Sequence, residues 1–385
     1  MAAILQDILS PSIVTKIVSR IRTPATPVAS FFGVQIGGGN TEQLAAPVRQ
    51  YTYDIFDYTR RVANGRLPGV GAGSIAARPV GNNTVSLARF AQKLPMDYHK
   101  IAGIRTLGEN AGTIDRMGKR YVEKQATELN RTHTNLREVL IGSLFRGGVW
   151  YYFQVGDDLV PSYTSSGALF GNDLKVPASN KLIGGGFAAG LQMETGADTI
   201  TATWATVTND IPLMIQKVDA GFQRQVGEPL RHIFCNFTVW NNVLQNNFVR
   251  QLAGTAATPF AEWTLTGMTA PDGSPLGWQS ARIKGLDWIE WHVSSHGLEI
   301  YDGSSAYPFT KIIPDDYALF SVQPGDWLKG IEGAEVVKIN DIAPANVETG
   351  FFSWVMERAD PARFELHGLQ NFALELNIPK AVAIA

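Results

Sequence analysis

The chain has a single cysteine, Cys235, in 385 residues. That excludes an internal disulfide and fits a reducing compartment. Charge is scarce as well: 18% of residues are Asp, Glu, Lys or Arg, where about a quarter is usual. The two signs nearly cancel, 33 basic residues against 35 acidic ones, leaving a net charge of -2. A folded body that grips DNA in a charged groove needs an excess of Lys and Arg, so that class of partner is not expected to be held tightly. No apolar run reaches the roughly 18 residues that a bilayer-spanning helix needs, so no membrane partner is expected. The opening MAAILQDILSPSIVTKIVSRI sets its positive charges after its apolar positions, which is not the pattern of a secretory signal. The sequons at Asn82, Asn130 and Asn236 are then chance matches.

What the chain does have is 38 glycines, 20 prolines and 10% aromatics. Low charge with many aromatics argues against disorder and for strands and ordered loops. The length is sufficient for two or three domains around a substantial core.

The strongest helical signal runs over residues 113–145, free of proline and broken only by Gly118 and Gly142. Ile114, Met117, Tyr121, Leu129, Leu136, Leu140 and Leu144 draw one apolar stripe down it, with charges expected on the other faces. Gly147 and Gly148 are placed to stop it. At 1.5 Å per residue such a helix is on the order of 50 Å long, too long for a purely local core. No other segment matches it for a bundle, so it reads as a spine laid across a sheet.

Before the spine, residues 1 to 22 carry an amphipathic helix with Ser10 as its N-cap and Pro11 after it, expected to dock on a neighbouring surface. Residues 22 to 46, with Pro24, Pro27 and three glycines at 37–39, read as an extended arm too broken for a core element. Alternation in Val48 to Tyr58 and in Thr84 to Leu94 predicts a long two-stranded excursion over 47–100. Some 20 loop residues lie between the strands, and the hairpin is expected to rest on another subunit. After the spine come an aromatic strand, Val149 to Val155, and a Gly-rich region reaching Gly190. A helix over Asn209 to Gln225, a strand over Arg231 to Phe237 and a helix over Val239 to Gly254 follow. With strands at 285–293 and 298–302 they predict an inserted mixed α/β domain of residues 222–313. The closing FELHGLQNFALELNIPKAVAIA returns to the spine's sheet, with Pro379 on an edge.

Residues that invite a chemical reading have bland ones beside them. Gly71-Ala-Gly73-Ser-Ile-Ala76 matches a dinucleotide fingerprint but follows a polar loop and precedes Pro79, so loop glycines are expected. Gly184 to Gly190 lacks the Lys-Ser/Thr of a phosphate loop. His292 and His296 would share a face only on a helix, and the first ends a strand. His232 and Cys235 fall on opposite faces of a strand. Asp157-Asp158 and Asp315-Asp316 read as solvated turn acids. No catalytic residue, cofactor site or metal site is therefore expected.

Three stretches carry a resemblance: Arg60, Arg61, Gly65, Leu67 and Pro68 ahead of small residues; GENAGTIDRMGKR leading into the spine; and Asp360-Pro361 with the alternating tail and its late proline. In these the chain resembles the tailed-phage major capsid proteins of the lambda major head protein family. The resemblance implies an α+β, HK97-type fold with an N-terminal arm at 1–46 and an extended hairpin loop at 47–100. It further implies a peripheral domain at 101–221 with the spine helix, an axial domain at 222–313, and a return to the peripheral domain with a C-terminal strand at 314–385. The implied role is a self-assembling icosahedral head shell around double-stranded DNA, in the virion and, during assembly, in the host cytoplasm. The implied partners are further copies in hexamers and pentamers, scaffold and portal proteins, a decoration protein, and DNA contacted weakly and without sequence specificity. No lysine–asparagine crosslink is evident. An encapsulin-like compartment shares the fold and is the alternative; an enzyme of unrelated fold is the second.

Overall fold

The computed structural model describes residues 26–56, 80–96, 116–181, 204–252, 266–269, 275–283, 285–337, 346–359 and 362–385. The helix expected over residues 1–22, residues 57–79 of the expected hairpin with their Gly71–Ala76 motif, the first residues of the expected spine and the glycines at 184–190 lie outside them.

In chain order the helices are α1 (Pro27–Phe31), α2 (Arg116–Gly142), α3 (Ile211–Gln225), α4 (Phe237–Gln245) and α5 (Asn247–Leu252). The strands of the first half are β1 (Thr41–Gln43), β2 (Gln50–Phe56), β3 (Val80–Ser86), β4 (Ala88–Met96), β5 (Val149–Val155), β6 (Asp158–Ser162) and β7 (Phe170–Asp173). Then come β8 (His232–Cys235), β9 (Thr266–Thr269), β10 (Pro275–Ala281), β11 (Glu290–Val293), β12 (Gly297–Glu299) and β13 (Phe309–Lys311). The last are β14 (Leu319–Ser321), β15 (Leu328–Val337), β16 (Asn346–Thr349), β17 (Phe352–Ala359), β18 (Ala362–Leu376) and β19 (Val382–Ile384). The fold is mixed α and β, with several sheets.

One six-stranded sheet runs β1-β15-β18-β17, with β16 on β15 and β4 on β18. Its longest strand, β18, has 15 residues and organises both faces by the two-residue period of a strand. Gly368, Gln370 and Phe372 face α2; Ala373 faces the β2–β3 ribbon, where Tyr53, Val85 and Leu87 bury against it and Ile331. The long helix therefore lies on one face and the ribbon's base on the other.

Helix α2 spans 27 residues and is closed by a 3-10 turn, Ser143–Arg146, and by Gly147 at φ 91°, a left-handed conformation that glycine adopts without strain. Its buried face differs from the expected stripe. Val122, Ala126, Leu129, His133, Arg137, Leu140 and Leu144 are buried, Tyr121 and Leu136 only in part, and Glu138 is wholly buried. Charges thus enter the covered face because distant partners meet them. Arg137 Nη2 donates to Glu332 Oε1 at 2.6 Å, its Nε to Gln370 Oε1 at 3.2 Å and its Nη1 to Val34 O at 3.3 Å, with the guanidinium 4.5 Å above the Phe372 ring. The helix comes close to β18 because position 368 lacks a side chain: a Cβ there would meet Leu129 Cγ at 2.9 Å and His133 Nε2 at 3.1 Å. Gly368→Val should push α2 off the sheet and cost about 1–3 kcal/mol by overpacking, read as a lowered melting temperature; an unchanged one would contradict this contact.

The segment read as an arm is in part a core element. Val28, Ala29, Phe32 and Val34 are buried in the main core, and Glu138 accepts from the backbone N–H groups of Val28 and Ala29 at 3.0 and 2.8 Å. A carboxylate supplied by α2 satisfies the first amides of α1, where proline alone looked like a breaker.

Other expectations shift in register. The strand expected over Thr84 to Leu94 divides at Leu87: β3 pairs with β2, while β4 pairs with β18. The ribbon's base is held by its own chain, through Asn83 Nδ2 to Tyr53 Oη and to Asp173 O, both 2.8 Å. Residues 158–173 of the Gly-rich stretch form β6 and β7 on β5. The helix expected over Val239 to Gly254 breaks at Asn246, whose side chain accepts from Phe248 N and Val249 N and so starts α5.

The second six-stranded sheet runs β19-β14-β8-β11-β10-β9. Two of its strands, β14 and β19, come from beyond residue 313, so the tail serves both sheets: β18 in the first, and β19 after the Pro379–Ala381 turn as the edge of the second. One continuous core links Phe372, Leu374 and Leu376 with Phe234, Trp291, Val382 and Ile384.

Candidate functional site

Strands β8 and β11 are parallel neighbours, with Glu290 opposite His232 and His292 opposite Phe234. Residues in register and two apart on one strand share a face. His232, Glu290 and His292 therefore converge, although 58 residues of chain separate the first two. His232 Nδ1 lies 3.0 Å from His292 Nε2, and Glu290 Oε2 lies 3.9 Å from the former and 4.0 Å from the latter. These are the described residues whose ligand atoms group as a metal site does.

The surroundings fix the rings. Phe31 of α1 packs on both, with centroid separations of 5.1 Å to His232 and 4.7 Å to His292, and His292 stacks on Phe234 at 4.8 Å. Burial lowers the affinity of both imidazoles for a second proton, to about 3 for His292 with His232 adding to the effect, so both are neutral near pH 7. His232 Nε2 lies 3.1 Å from Gln323 Oε1. A carbonyl oxygen only accepts, so that nitrogen carries the proton and Nδ1 keeps its lone pair. The His292 side chain is fully buried, whereas Glu290 is 29% exposed and opens onto a cleft of about 550 Å³ lined also by Glu228, Arg231, Arg282, Trp288 and Gln323.

The remaining residues singled out in the sequence stay apart. Cys235 is buried and its thiol is pushed well above the usual range by burial. His296, half-buried, donates its backbone N–H to Ser294 Oγ. Asp157 and Asp158 are exposed at the turn between β5 and β6. Asp315 accepts from Lys311 Nζ and Asn236 Nδ2, both at 2.6 Å, and these bonds, the lysine's first, hold its carboxyl below the usual range. Asp157 is a turn residue, Asp158 opens β6, and Asp315 and Asp316 lie in a bend. The pairing of His232 with His292 carried no spacing signal, because it depends on which strands become neighbours. No helix among the described residues is long and apolar enough to cross a membrane.

Compared by sequence with known proteins, the chain matches no family model and no curated relative. Compared by structure, it is similar to a phage-related protein from Bordetella bronchiseptica at 12% identity, with 97% of this chain and 95% of that chain covered and a TM-score of 0.48. A protein named as the capsid protein of an E. coli CFT073 prophage gives 12% identity, 97% of both chains and a TM-score of 0.49. A virus-like particle from Pyrococcus furiosus gives 9% identity, 97% of this chain, 96% of that chain and a TM-score of 0.39.

Proposed function

We propose that the chain is a structural shell subunit: a tailed-phage major capsid protein of HK97-type fold that self-assembles as hexamers and pentamers around double-stranded DNA. The observation that carries the reading is the way α2 and the β2–β3 ribbon leave opposite faces of one sheet. Helix α2 is seated along β4 and β18, and the ribbon pairs only with itself, ending at Phe56 with its ring 44% exposed. A two-stranded ribbon is at best marginally stable alone. Here it is anchored by Tyr53, by Asn83 and by the Phe56 N–H, which donates to Asn377 O at 2.8 Å, while the Phe56 ring itself is left open for a neighbour to cover. An uncovered apolar pair, Val336 opposite Val347, lies on β15 and β16, at 50% and 53% exposure. The sequence resemblance in the loop, the spine and the tail supports the same role. Shell formation asks for no catalytic group, and Asp315 has a structural role already, accepting from Lys311 and Asn236.

Electron micrographs of the purified chain, alone and with its scaffold, should show closed icosahedral particles. In them the tip of the expected hairpin, around Arg66 to Gly81, should resist protease, whereas in free subunits it should be cut. A monodisperse monomer under every condition would sink the proposal. Equal cleavage in both states would remove the intersubunit role of the tip.

A further inference from the structure

We propose that His232, Glu290 and His292 form a binding site for a divalent first-row transition metal ion, with zinc as the best fit. The geometry carries it. The circle through His232 Nδ1, His292 Nε2 and Glu290 Oε2 has a radius of about 2.1 Å, within the range of Zn–N and Zn–O bonds. An ion at its centre touches all three ligand atoms and lies in their plane. Two imidazoles and one carboxylate are also a donor set that zinc takes in three-ligand sites.

The spacing selects among metals. Three ligands on one face of an octahedron must lie about 3.0 Å apart in every pair, whereas here two of the three separations are 3.9 and 4.0 Å. An ion in the plane of the three is trigonal. A tetrahedral ion with bonds of about 2.1 Å needs about 3.4 Å in every pair, which the partly exposed Glu290 side chain reaches by closing about 0.5 Å on both histidines as they part by about 0.4 Å and the ion moves out of the plane. Magnesium and calcium, which prefer all-oxygen sets, are disfavoured by the two nitrogens.

The surroundings meet the remaining needs of a metal centre. His232 Nε2–H donates to Gln323 Oε1, which aims the Nδ1 lone pair at the other two ligands. With His232 Nδ1 accepting, His292 Nε2 donates to it at 3.0 Å in the metal-free site. An ion takes that place once the proton moves to His292 Nδ1 or to solvent, and Nδ1 has no other hydrogen-bond partner to oppose the shift. Phe31 and Phe234 wall the site from the core side, and Glu290 opens it to the cleft. The fourth position faces that cleft, where Arg231 and Arg282 are offset by Glu228 and are placed to favour a water or an anionic group as the fourth ligand. A bound ion would tie β8 to β11 at the centre of the second sheet.

The test uses the full chain, stripped with EDTA, dialysed and titrated with ZnCl₂ in a calorimeter, with elemental analysis after gel filtration. One equivalent should be retained, and Co²⁺ in its place should give the intense visible absorption of a tetrahedral ion. Glu290→Gln, at a partly exposed position, and His232→Asn should each weaken zinc binding by about 100-fold or more, and Gln323→Ala by about 10–100-fold through loss of the second hydrogen bond. All three should keep the circular dichroism of the metal-free wild type. Less than a tenth of an equivalent retained by the wild type would overturn the site. So would zinc bound equally well by Glu290→Gln and His232→Asn. Should His232→Asn misfold, the Glu290→Gln and Gln323→Ala titrations decide.

Discussion

Arg137→Met should lower the unfolding free energy of the isolated chain by about 3–5 kcal/mol, the cost of breaking a buried ion pair from one side. Neither partner has water to fall back on: the side chains of Arg137 and Glu332 are 0% and 4% exposed. Methionine fills much of the volume but leaves the Glu332 carboxylate buried with Gln43 Nε2, at 3.1 Å, as its remaining donor. Val34 O and Gln370 Oε1 each lose a donor as well. Burial acts on the guanidinium by lowering its proton affinity, and Glu332 opposes that effect. The double replacement Arg137→Met with Glu332→Leu removes both charges and should recover more than half of the loss, since an apolar pair of similar volume tolerates burial. Urea unfolding of the wild type, the single variant and the double variant provides the measurement. A single-variant loss below about 1 kcal/mol, or losses that simply add, would show that the pair does not hold α2 to the sheet.

Glu138 should make the docking of α1 depend on pH. Burial raises its carboxyl from 4.5 to about 7, and the N–H groups of Ala29 and Val28 offset only part of that shift. An acid whose value is raised on folding holds its proton more tightly in the folded state. Its contribution is therefore complete below about pH 4.5 and is lost as pH rises through about 7, to a limit of about 3 kcal/mol. His133 and His292, lowered by burial, act in the opposite direction, losing stability as pH falls below their usual range. The difference between the wild type and Glu138→Gln isolates the carboxyl, because the histidines cancel. That difference should change progressively between pH 4.5 and 8, and the protection of the Val28 and Ala29 amides, corrected for the intrinsic base-catalysed rate, should fall over the same interval in the wild type alone. Parallel stability curves for the two proteins would show that Glu138 does not titrate with folding.

Local chemistry in the sequence determined where many elements lie. A long span without proline, ended by glycines, makes α2, and Gly147 at φ 91° is its stop. The alternation of Val149 to Val155 makes β5, and the helix over Asn209 to Gln225 is α3, begun by Asp210 accepting from Leu213 N. Such signals act over a few residues, through capping groups, side-chain period and backbone freedom, and a sequence displays them directly. What only the tertiary structure decided is which face of each element is covered and by what. Arg137 and Glu138 lie on the buried side of α2 because Glu332, Gln370 and the amides of α1 meet them there, at separations of 109 to 233 residues. The period of the apolar positions carries no record of such partners. The same holds for the histidines: His232 and His292 meet because β8 and β11 become parallel neighbours in one register, and a shift of one residue would turn His292 to the other face. Helix α1 enters the core, despite the prolines and glycines around it, for a related reason. Its free amides are satisfied by a carboxylate more than a hundred residues away, and burying Val28, Ala29 and Phe32 then costs no unpaired backbone groups at that end.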